Sequence, residues 1–502
     1  MKDLIGLLTA AGSLMNPQSL LTIALGVVVG ILAGAMPGVS PSMGVALMVP
    51  FTYAMDPSMA LVFLAAIYLA ANYGGSITAV TINTPGTPSA VVTAFDGYPL
   101  SKKGRAGEAL GVSLVSSVVG GAVGIIVLIL FSGPLARMAL KFWPAEYFSL
   151  AVLGLSTIAS MGGENALKCA ISAVLGLLIS TVGMDSILGV SRFTFGNVNL
   201  FDGFEFIPFL IGLLALSEVF VGVERHDFEA EYAAGAAKAK WPSFAYYWKL
   251  RMSMLRASII GTIVGIFPGA GATIATFISY DVEKRLSKTP EAFGEGVPEG
   301  VAAAEAANSS SVGGAMVPML TLGIPGSATA AVLLGALMIH NLQPGPELFV
   351  KHPEIVYRLF AALLIANIVL LILGLAGSRL WINVTRVRKE LLYPLIFSFA
   401  MIGSYAVNAR MWDVFVCLGF GIVGAILKRY GYPLPPLVLG VVLGEMAEVN
   451  LRRAVMMAGP TAIFQRPGSV ALLVVAALSF LIPIMQARKT KQNAKQNASQ
   501  KA

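Results

Sequence analysis

The chain has 502 residues, of which 56% are hydrophobic and only 12% are charged, and its formal net charge is +8. A soluble domain carries about 25% charged residues, so this composition excludes a soluble globular protein and predicts an integral membrane protein. The positive charge lies at the ends of apolar segments and in the C-terminal tail. That pattern is typical of cytoplasmic ends of membrane spans and gives no indication of a nucleic-acid partner.

Apolar runs recur from Leu20 to Met485 and leave room for about ten to twelve spans of ~20 residues each. The expected fold is therefore an all-α polytopic protein in a lipid bilayer, without a large soluble domain. We divide the chain into a first transmembrane half (1–222), a polar connecting loop (223–250), a second transmembrane half (251–487) and a basic tail (488–502). The tail predicts a cytoplasmic C-terminus.

The first apolar run is interrupted by the sequence AMPGVSPSMG, residues 35–44. Proline removes a backbone donor and glycine adopts backbone angles that other residues avoid, so Pro37 and Gly38 predict a broken or re-entrant helix. Ser40 is a good N-cap for the helix that restarts there. Membranes tolerate such backbone only where it is buried in protein or lines a watery cavity, so the break indicates a binding site.

A second break is predicted in TINTPGTPSA, residues 81–90. Pro85 and Gly86 interrupt the helix, and Thr87 stands before a proline, which is a favourable arrangement for a helix start. Polar residues within membrane segments either bind a ligand or bridge neighbouring helices, and both roles stay open for those around this break. They are Asn72, Asn83 and Thr84.

Both breaks recur later in the chain. The sequence GTIVGIFPG from Gly261 repeats GILAGAMPG from Gly30 after 231 residues, and TLGIPGSATA repeats TINTPGTPSA after 240 residues. Internal repeats of this kind are typical of secondary transporters, so we expect two homologous halves, related either in inverted or in parallel topology. The second set of candidate residues is Pro268, Gly269, Gly271, Asn308, Pro325, Gly326 and Ser327.

The chemistry of a restarted helix favours anions. Its N-terminal end presents free N–H groups and a partial positive charge, and nearby hydroxyl groups add donors, so such an end binds a carboxylate. Carbonyl groups left at the end of the preceding helix could bind Na⁺. The alternative is that these Pro and Gly residues only kink helices for packing. Two matched pairs of breaks favour the binding-site interpretation.

Three charged residues carry two interpretations each. Glu299 and Glu305, in PEGVAAAEAAN, are either functional carboxylates near the membrane or solvated charges at a helix start. Arg192 either pairs with a substrate carboxylate or lies near lipid headgroups.

We recognise no enzyme motif in the sequence. Gly-Lys, His-Glu-x-x-His and Gly-x-Ser-x-Gly are all absent from the sequence, which excludes a P-loop and gives no support to an intramembrane hydrolase. We therefore expect neither enzymatic activity nor a cofactor. A competing non-enzymatic function is an anion channel that uses the broken helices as a selectivity filter.

The chain resembles the large membrane subunit of the tripartite tricarboxylate transporters. The resemblance runs from about Gly26 to Arg466 and is strongest in the two Pro-Gly regions. It is carried by MPGVSPSMG, FPGAGATIA, ANYGGSITAVTINTPGTPSAVVTAFDGYPL, PEGVAAAEAAN and LTLGIPGSATAAVLLGALMIHNLQPGP. The resemblance implies a secondary-active importer of carboxylates in the bacterial inner membrane. It also implies a small membrane subunit and a periplasmic solute-binding protein as partners, and a Na⁺ or H⁺ gradient as the driving force.

Overall fold

The structure is a computed structural model that describes residues 2–36, 39–160, 166–185, 187–224, 241–268, 271–377 and 389–479. Three of the predicted site residues, Pro37, Gly38 and Gly269, lie outside these residues, as do the basic tail and most of the connecting loop. The described part is almost entirely helical, which confirms the all-α fold. Its one β-ladder is an antiparallel pair of two-residue strands, β1 (Gly183–Met184) and β2 (Ser191–Arg192).

The α-helices follow one another with short connections. They are α1 (Lys2–Leu14), α2 (Pro17–Ala35), α3 (Pro41–Met48), α4 (Pro57–Ile82), α5 (Val91–Leu100), α6 (Ala106–Ala139), α7 (Pro144–Ser160), α8 (Ala166–Ser180), α9 (Phe206–Leu210), α10 (Ser217–Glu224), α11 (Phe244–Lys249), α12 (Arg251–Ile266), α13 (Gly271–Leu286), α14 (Pro298–Leu322), α15 (Ala328–Ile339), α16 (Pro346–Lys351), α17 (Pro353–Ala376), α18 (Lys389–Asn408), α19 (Met411–Arg429), α20 (Leu434–Ala458), α21 (Ala462–Gln465) and α22 (Pro467–Ser479).

Eight helical segments of the described chain are long and apolar enough to cross a bilayer, against the ten to twelve spans predicted. One reason is that α12 and α13, on either side of the second Pro-Gly motif, have 16 residues each, and a span needs about 20. The eight segments are Pro17–Ala35, Pro57–Ile82, Pro88–Ala139, Phe206–Glu224, Pro353–Ala376, Leu391–Asn408, Met411–Arg429 and Leu434–Ala458.

The chain forms two compact units. The first unit comprises Met1–Arg137, Phe206–Ile266 and Gly271–Ala425, and the second comprises Met138–Glu205, Phe267–Ala270 and Ile426–Ala502. The division of the sequence into two homologous halves is a separate question and stays a prediction.

Helices α4 and α14 form the centre of the first unit. Both are buried along nearly their whole length and on all faces. Each carries a run rich in small residues, AANYGGSITA in α4 and AANSSSVGGA in α14. Small residues allow neighbouring helix backbones to approach closely, which is the main way that helices pack in a membrane. These two helices therefore position the polar groups of the first unit.

The start of α14 is fixed by a buried carboxyl group. The Asp96 side chain of α5 accepts hydrogen bonds from the backbone N–H groups of Gly294, Gly296 and Val297 at 2.8–2.9 Å. Its other oxygen accepts a bond from the Tyr280 hydroxyl of α13 at 2.8 Å. One side chain thus satisfies three backbone donors of the segment that leads into α14 and ties this segment to α5 and α13.

In the second unit, an ion network holds the β-hairpin against α20. Arg192 lies 2.5 Å from Glu448 and 3.5 Å from Asp185, while Arg452 lies 2.6 Å from Asp185 and 2.7 Å from Glu448. Two cations and two carboxylates therefore alternate. Arg192 thus forms ion pairs within the protein. This role differs from both interpretations that the sequence suggested.

The backbone N–H groups of Leu188 and Ile187 and the side chain of Arg452 lower the pKa of Asp185 to about 2. The ionised form is favoured in the folded state, because an aspartate in an unfolded chain has a pKa of about 3.9. The network therefore stabilises the fold above about pH 4, and this contribution is lost as the pH falls through 2.

We expect Asp185→Asn to lower the unfolding temperature at pH 6, and the difference from the wild type to shrink as the pH falls towards 3. Thermal unfolding of the purified protein across this pH range measures the effect. Asp202→Asn, at an exposed acid in the same unit, is the control and should show little difference at either pH. A difference for Asp185→Asn that is constant with pH would contradict the assignment.

Asp96→Ala should lower the free energy of unfolding by about 3 kcal/mol or more, because it leaves three buried backbone donors and a tyrosine hydroxyl without their acceptor. Tyr280→Phe removes only one of the four hydrogen bonds and should cost about 1 kcal/mol. Denaturation of both variants in detergent compares them. An equal loss in the two would show that the backbone bonds to Asp96 contribute little.

Candidate functional site

Helices α2 and α12, which precede the motifs at Pro37-Gly38 and Pro268-Gly269, pack on α4 and α14 with direct backbone contact. A Cβ atom on Gly34 of α2 would lie 2.0 Å from the carbonyl oxygen of Ala71 in α4. A Cβ atom on Gly265 of α12 would lie 2.6 Å from the carbonyl oxygen of Ser311 in α14. Gly34 and Gly265 are 231 residues apart, and Ala71 and Ser311 are 240 residues apart. The same helix crossing thus occurs at both sets of repeat positions.

Two of the four predicted breaks lie wholly within the described residues. From here on, the first break is the one that follows α4, and the second break is the one that follows α14. The helix ends at Ile82, and Asn83 takes the left-handed conformation with φ 51°. The backbone N–H of Gly86 then donates to the carbonyl oxygen of Gly75 at 3.1 Å, so the chain turns back onto the helix that it has just left. A Cβ atom on Gly86 would lie 2.0 Å from the carbonyl oxygen of Gly34. Glycine is required here because the backbone of α2 occupies the place of a side chain.

The second break repeats this geometry after α14. The helix ends at Leu322, and Gly323 takes the left-handed conformation with φ 72°. The N–H of Gly326 donates to the carbonyl oxygen of Ala315 at 3.4 Å. A Cβ atom on Gly326 would lie 2.7 Å from the carbonyl oxygen of Gly265. Each of these partners stands at the repeat position of its counterpart in the first break.

A further hydrogen bond is shared between the breaks. Thr84 N–H donates to the carbonyl oxygen of Thr78 at 3.4 Å, and Ile324 N–H donates to that of Pro318 at 3.2 Å. Both residues of the second bond are 240 positions after those of the first. The breaks are therefore hydrogen-bonded turns whose backbone partners come from the preceding helix, as burial in a membrane requires.

Two of the predicted helix starts have the expected serine cap. Ser40 before α3 and Ser327 before α15 each accept a hydrogen bond from the backbone N–H three residues later, at 3.2 and 3.1 Å. Thr87 also precedes a helical turn, the 3-10 segment Pro88–Ala90, but its hydroxyl bonds to that of Ser89 at 3.1 Å and caps no N–H group.

The remaining residues of the breaks differ in exposure. Asn83 is exposed, Thr84 and Pro85 are half-buried, and Pro325 is buried, as are Gly86 and Gly326.

Gly271, the first residue of α13, has φ +57° and no side chain to cap that helix. Pro268 belongs to the second unit, where its carbonyl oxygen accepts a bond from Thr157 Oγ1 at 3.0 Å. It is therefore not among the residues that the first unit brings together.

Two of the three predicted asparagines, Asn72 and Asn308, meet between α4 and α14. Asn308 Nδ2 donates to the backbone carbonyl of Asn72 at 3.3 Å, and Asn72 Nδ2 donates to that of Tyr68 at 3.0 Å. The Asn308 Oδ1 atom is buried and has no hydrogen-bond partner among the described residues. A buried, unpartnered carbonyl oxygen is costly and rare in proteins, so it is a suitable contact for a cation or a donor group of a ligand.

Tyr68 connects this pair to the second break. Its hydroxyl lies 2.8 Å from the Ser327 hydroxyl, which caps α15. We call Tyr68, Asn72, Asn308 and Ser327 the asparagine cluster. It joins candidates from the two predicted halves in one hydrogen-bonded group, and Tyr68 is a member that no sequence pattern indicated.

Glu305 is the most unusual residue near this cluster. It lies on α14 one turn before Asn308, and its side chain is fully buried, with 0% of its surface exposed. The structure thus excludes the solvated charge that was one of its two interpretations. Its neighbours in the sequence VAAAEAAN are small and apolar, and this was the available signal that the residue is enclosed by other helices.

Three hydroxyl groups surround the Glu305 carboxyl group. Ser76 of α4 donates to Oε1 at 2.5 Å, Ser117 of α6 donates to Oε2 at 2.9 Å, and Thr93 of α5 bonds to Oε1 as well. We call these four residues the Glu305 cage. Its members come from four different helices, and Ser76 stands next to Gly75, which holds the first break.

Gly86→Ala should destabilise the first unit, because its Cβ atom would overlap the Gly34 carbonyl oxygen and force α2 and α4 apart. Overpacking of this kind costs about 1–3 kcal/mol. We expect a lower unfolding temperature, measured by tryptophan fluorescence in detergent. Gly419→Ala, at an α19 position where an added Cβ meets nothing within 4 Å, is the matched control and should be neutral or stabilising. Equal unfolding temperatures for the two variants would contradict the tight crossing.

Comparison with known proteins identifies the relatives of this chain. Residues 20–439 match the family model of the tripartite tricarboxylate transporter TctA family. A 52.8 kDa uncharacterized protein in the TAR-I ttuC' 3' region of Agrobacterium vitis is 36% identical over 481 residues, which cover 95% of this chain and 96% of the relative. A second protein, in the TAR-II ttuC' 3' region of the same organism, is 36% identical over 235 residues, which cover 46% of this chain and 97% of that relative.

No solved structure matches the chain. The matched region contains both breaks, the asparagine cluster and the Glu305 cage, and it extends over most of the sequence. The chain therefore belongs to the tripartite tricarboxylate transporter TctA family, a family of transporters and not of enzymes.

Proposed function

We propose that this chain is the large membrane subunit of a secondary-active importer of tri- or dicarboxylates, driven by a Na⁺ or H⁺ gradient. It acts in the bacterial inner membrane with its C-terminus in the cytoplasm. A small membrane subunit assembles with it, and a periplasmic solute-binding protein delivers the substrate. Family membership supports the class of transporter and these partners.

The observation that carries the proposal is the pair of hydrogen-bonded breaks, each followed by a restarted helix with a hydroxyl residue before it. Ser327 caps α15 and at the same time contacts Tyr68 of α4. The N-terminal end of α15 offers backbone donors and a partial positive charge, which suit a substrate carboxylate. A substrate with two or three carboxylates can contact more than one such end.

A coupling Na⁺ ion requires oxygen ligands, whereas a coupling proton requires an ionisable side chain. Asn308 Oδ1, which is buried and unpartnered, and the carbonyl groups at the ends of α4 and α14 are suitable ligands for a small cation. Asn308 is linked to the helix start at Ser327 by the hydrogen bonds through Asn72 and Tyr68. Binding of cation and anion at neighbouring positions lowers the cost of burying either charge, which is a physical basis for coupled transport.

Uptake into proteoliposomes tests the function. The vesicles contain the chain, its small subunit and its binding protein, and labelled citrate and succinate are the probes, with and without an inward Na⁺ or H⁺ gradient. Accumulation against the substrate gradient supports the proposal. Downhill flux that ignores both ion gradients would instead support the anion channel, which has the same broken helices but no coupling.

Ser327→Ala should reduce uptake about tenfold or more, because it removes a hydroxyl near a bound carboxylate and the partner of Tyr68, and a hydrogen bond to a charged group contributes ~1.5–3 kcal/mol. Initial uptake rates over a range of substrate concentrations measure the loss. Ser398→Ala is the control, since Ser398 is exposed on α18 and bonds only to its own helix at Pro394. Unchanged uptake by Ser327→Ala would exclude this helix start from the substrate site.

A further inference from the structure

Glu305 is buried without a compensating positive charge. None of the ion pairs formed by the described residues includes it, and its contacts in the Glu305 cage are all to neutral hydroxyl groups. An ionised carboxylate in such a place costs several kcal/mol, even after the protein relaxes around it. The carboxyl group is therefore neutralised by a bound proton or by a metal cation.

Tyr73 of α4 is a buried titratable group that interacts with Glu305 from a packed helix, and its phenol carries no charge in its ordinary protonated form. Most charged groups on the other helices around α14 have partners of their own. These are Asp96 of α5 with Tyr280 and three backbone N–H groups, Glu108 of α6 with Arg105, Arg256 of α12 with Glu283 of α13, Asp281 of α13 with Arg285, and Glu347 of α16 with Lys351. The remaining charged groups lie in terminal turns, Lys284 in α13, Glu299 in α14, Arg137 in α6 and Arg251 in α12.

The distances within the cage favour a proton over a metal ion. A metal ion of the size of Ca²⁺ stands between its oxygen ligands, with each metal–oxygen distance about 2.3–2.6 Å, so the ligand oxygens do not contact one another directly. In the cage, the hydroxyl oxygens of Ser76 and Ser117 lie directly against the carboxyl oxygens, at 2.5 and 2.9 Å. These are hydrogen-bond lengths. A protonated carboxyl group can donate to one hydroxyl oxygen and accept from the other two.

The cage is joined to both sides of the first break. Ser76 directly follows Gly75, whose carbonyl oxygen accepts the hydrogen bond from Gly86. Thr93 lies on α5, which the chain enters after the break. Loss of the proton would leave a negative charge between these two segments, so the charge state of Glu305 acts directly on the geometry of the break.

We propose that Glu305 is the proton-binding residue that couples carboxylate uptake to the H⁺ gradient. The inference rests on the proposed function and specifies its coupling ion. The Glu305 carboxyl group takes up a proton from the outer aqueous side, which forms its O–H bond, and releases that proton to water on the inner side, which restores the carboxylate. Ser76, Thr93 and Ser117 position the carboxyl group in both states. Intramembrane carboxylates are used in this way in proton-coupled pumps and transporters.

The protonation state is measured first, by infrared difference spectroscopy of the full chain in lipid bilayers between pH 5 and pH 9. We expect a protonated-carboxyl band near neutral pH that fades as the pH rises and is missing from E305Q. Glu299→Gln, on the same helix but half-buried at its start, is the matched control and should retain the band. Carboxyl bands that are the same in the wild type and in E305Q at every pH would overturn the proposal.

Thr93→Val keeps the carboxyl group and removes one hydroxyl partner, so it covers the case in which E305Q does not fold. It should shift the position of the Glu305 band without abolishing it, because the band depends on the hydrogen bonds of the carboxyl group. No shift in a folded Thr93→Val protein would also overturn the proposal.

Transport then tests the coupling. In proteoliposomes with the small subunit and the binding protein, E305Q should lose citrate accumulation driven by an inward H⁺ gradient by about tenfold or more, yet retain exchange of internal for external citrate. Retained accumulation by E305Q would overturn the role of Glu305 while leaving the importer function intact. Absence of gradient-driven uptake of citrate and succinate by the wild type would instead overturn the proposed function.

Discussion

A helix that stops within a bilayer leaves backbone N–H and C=O groups that lipid cannot satisfy, and the rest of this fold depends on how that constraint is met. At the two breaks that lie within the described residues, after α4 and after α14, the chain meets it by folding back onto the helix that it leaves. Gly86 bonds to Gly75, and Gly326 bonds to Ala315. Both glycines lie against a backbone carbonyl of a neighbouring helix. The close crossings of α2 with α4 and of α12 with α14 follow from this arrangement, since larger residues would separate the partners.

The same constraint explains why polar groups gather along α4 and α14. A helix that contacts others on all sides can hold asparagine, serine and glutamate side chains away from lipid, provided that each finds a partner. Most of them do so within the described chain. Asn308 Oδ1 is an exception, and Glu305 has hydroxyl partners but no counter-charge. Natural proteins tolerate such costly groups mainly where function requires them.

The family assignment and the geometry address different questions. Membership of the TctA family gives the class of transporter, but it does not select residues within a chain of this length. The hydrogen bonds connect Ser327, Asn308 and Asn72 in one cluster, and Glu305 lies one turn before Asn308 on α14. The importer proposed above binds an anion and a driving cation at sites that influence each other, and Asn308 and Glu305, one turn apart on α14, are suitably placed for such a connection.

The sequence by itself determined the class of protein and the positions of its breaks. Composition required a membrane protein, and the Pro-Gly motifs predicted helix ends that occur at Ile82 and Leu322. Ser40 and Ser327 were predictable caps because capping depends on residues only a few positions apart. The tertiary structure alone decided which side chains meet. The partners Ser76 and Thr93 stand 229 and 212 residues from Glu305, and Asp96 contacts residues about 200 positions away. Such contacts depend on how the helices pack, and no local pattern records them, since serine, threonine and aspartate are equally compatible with solvent exposure until a neighbouring helix covers them.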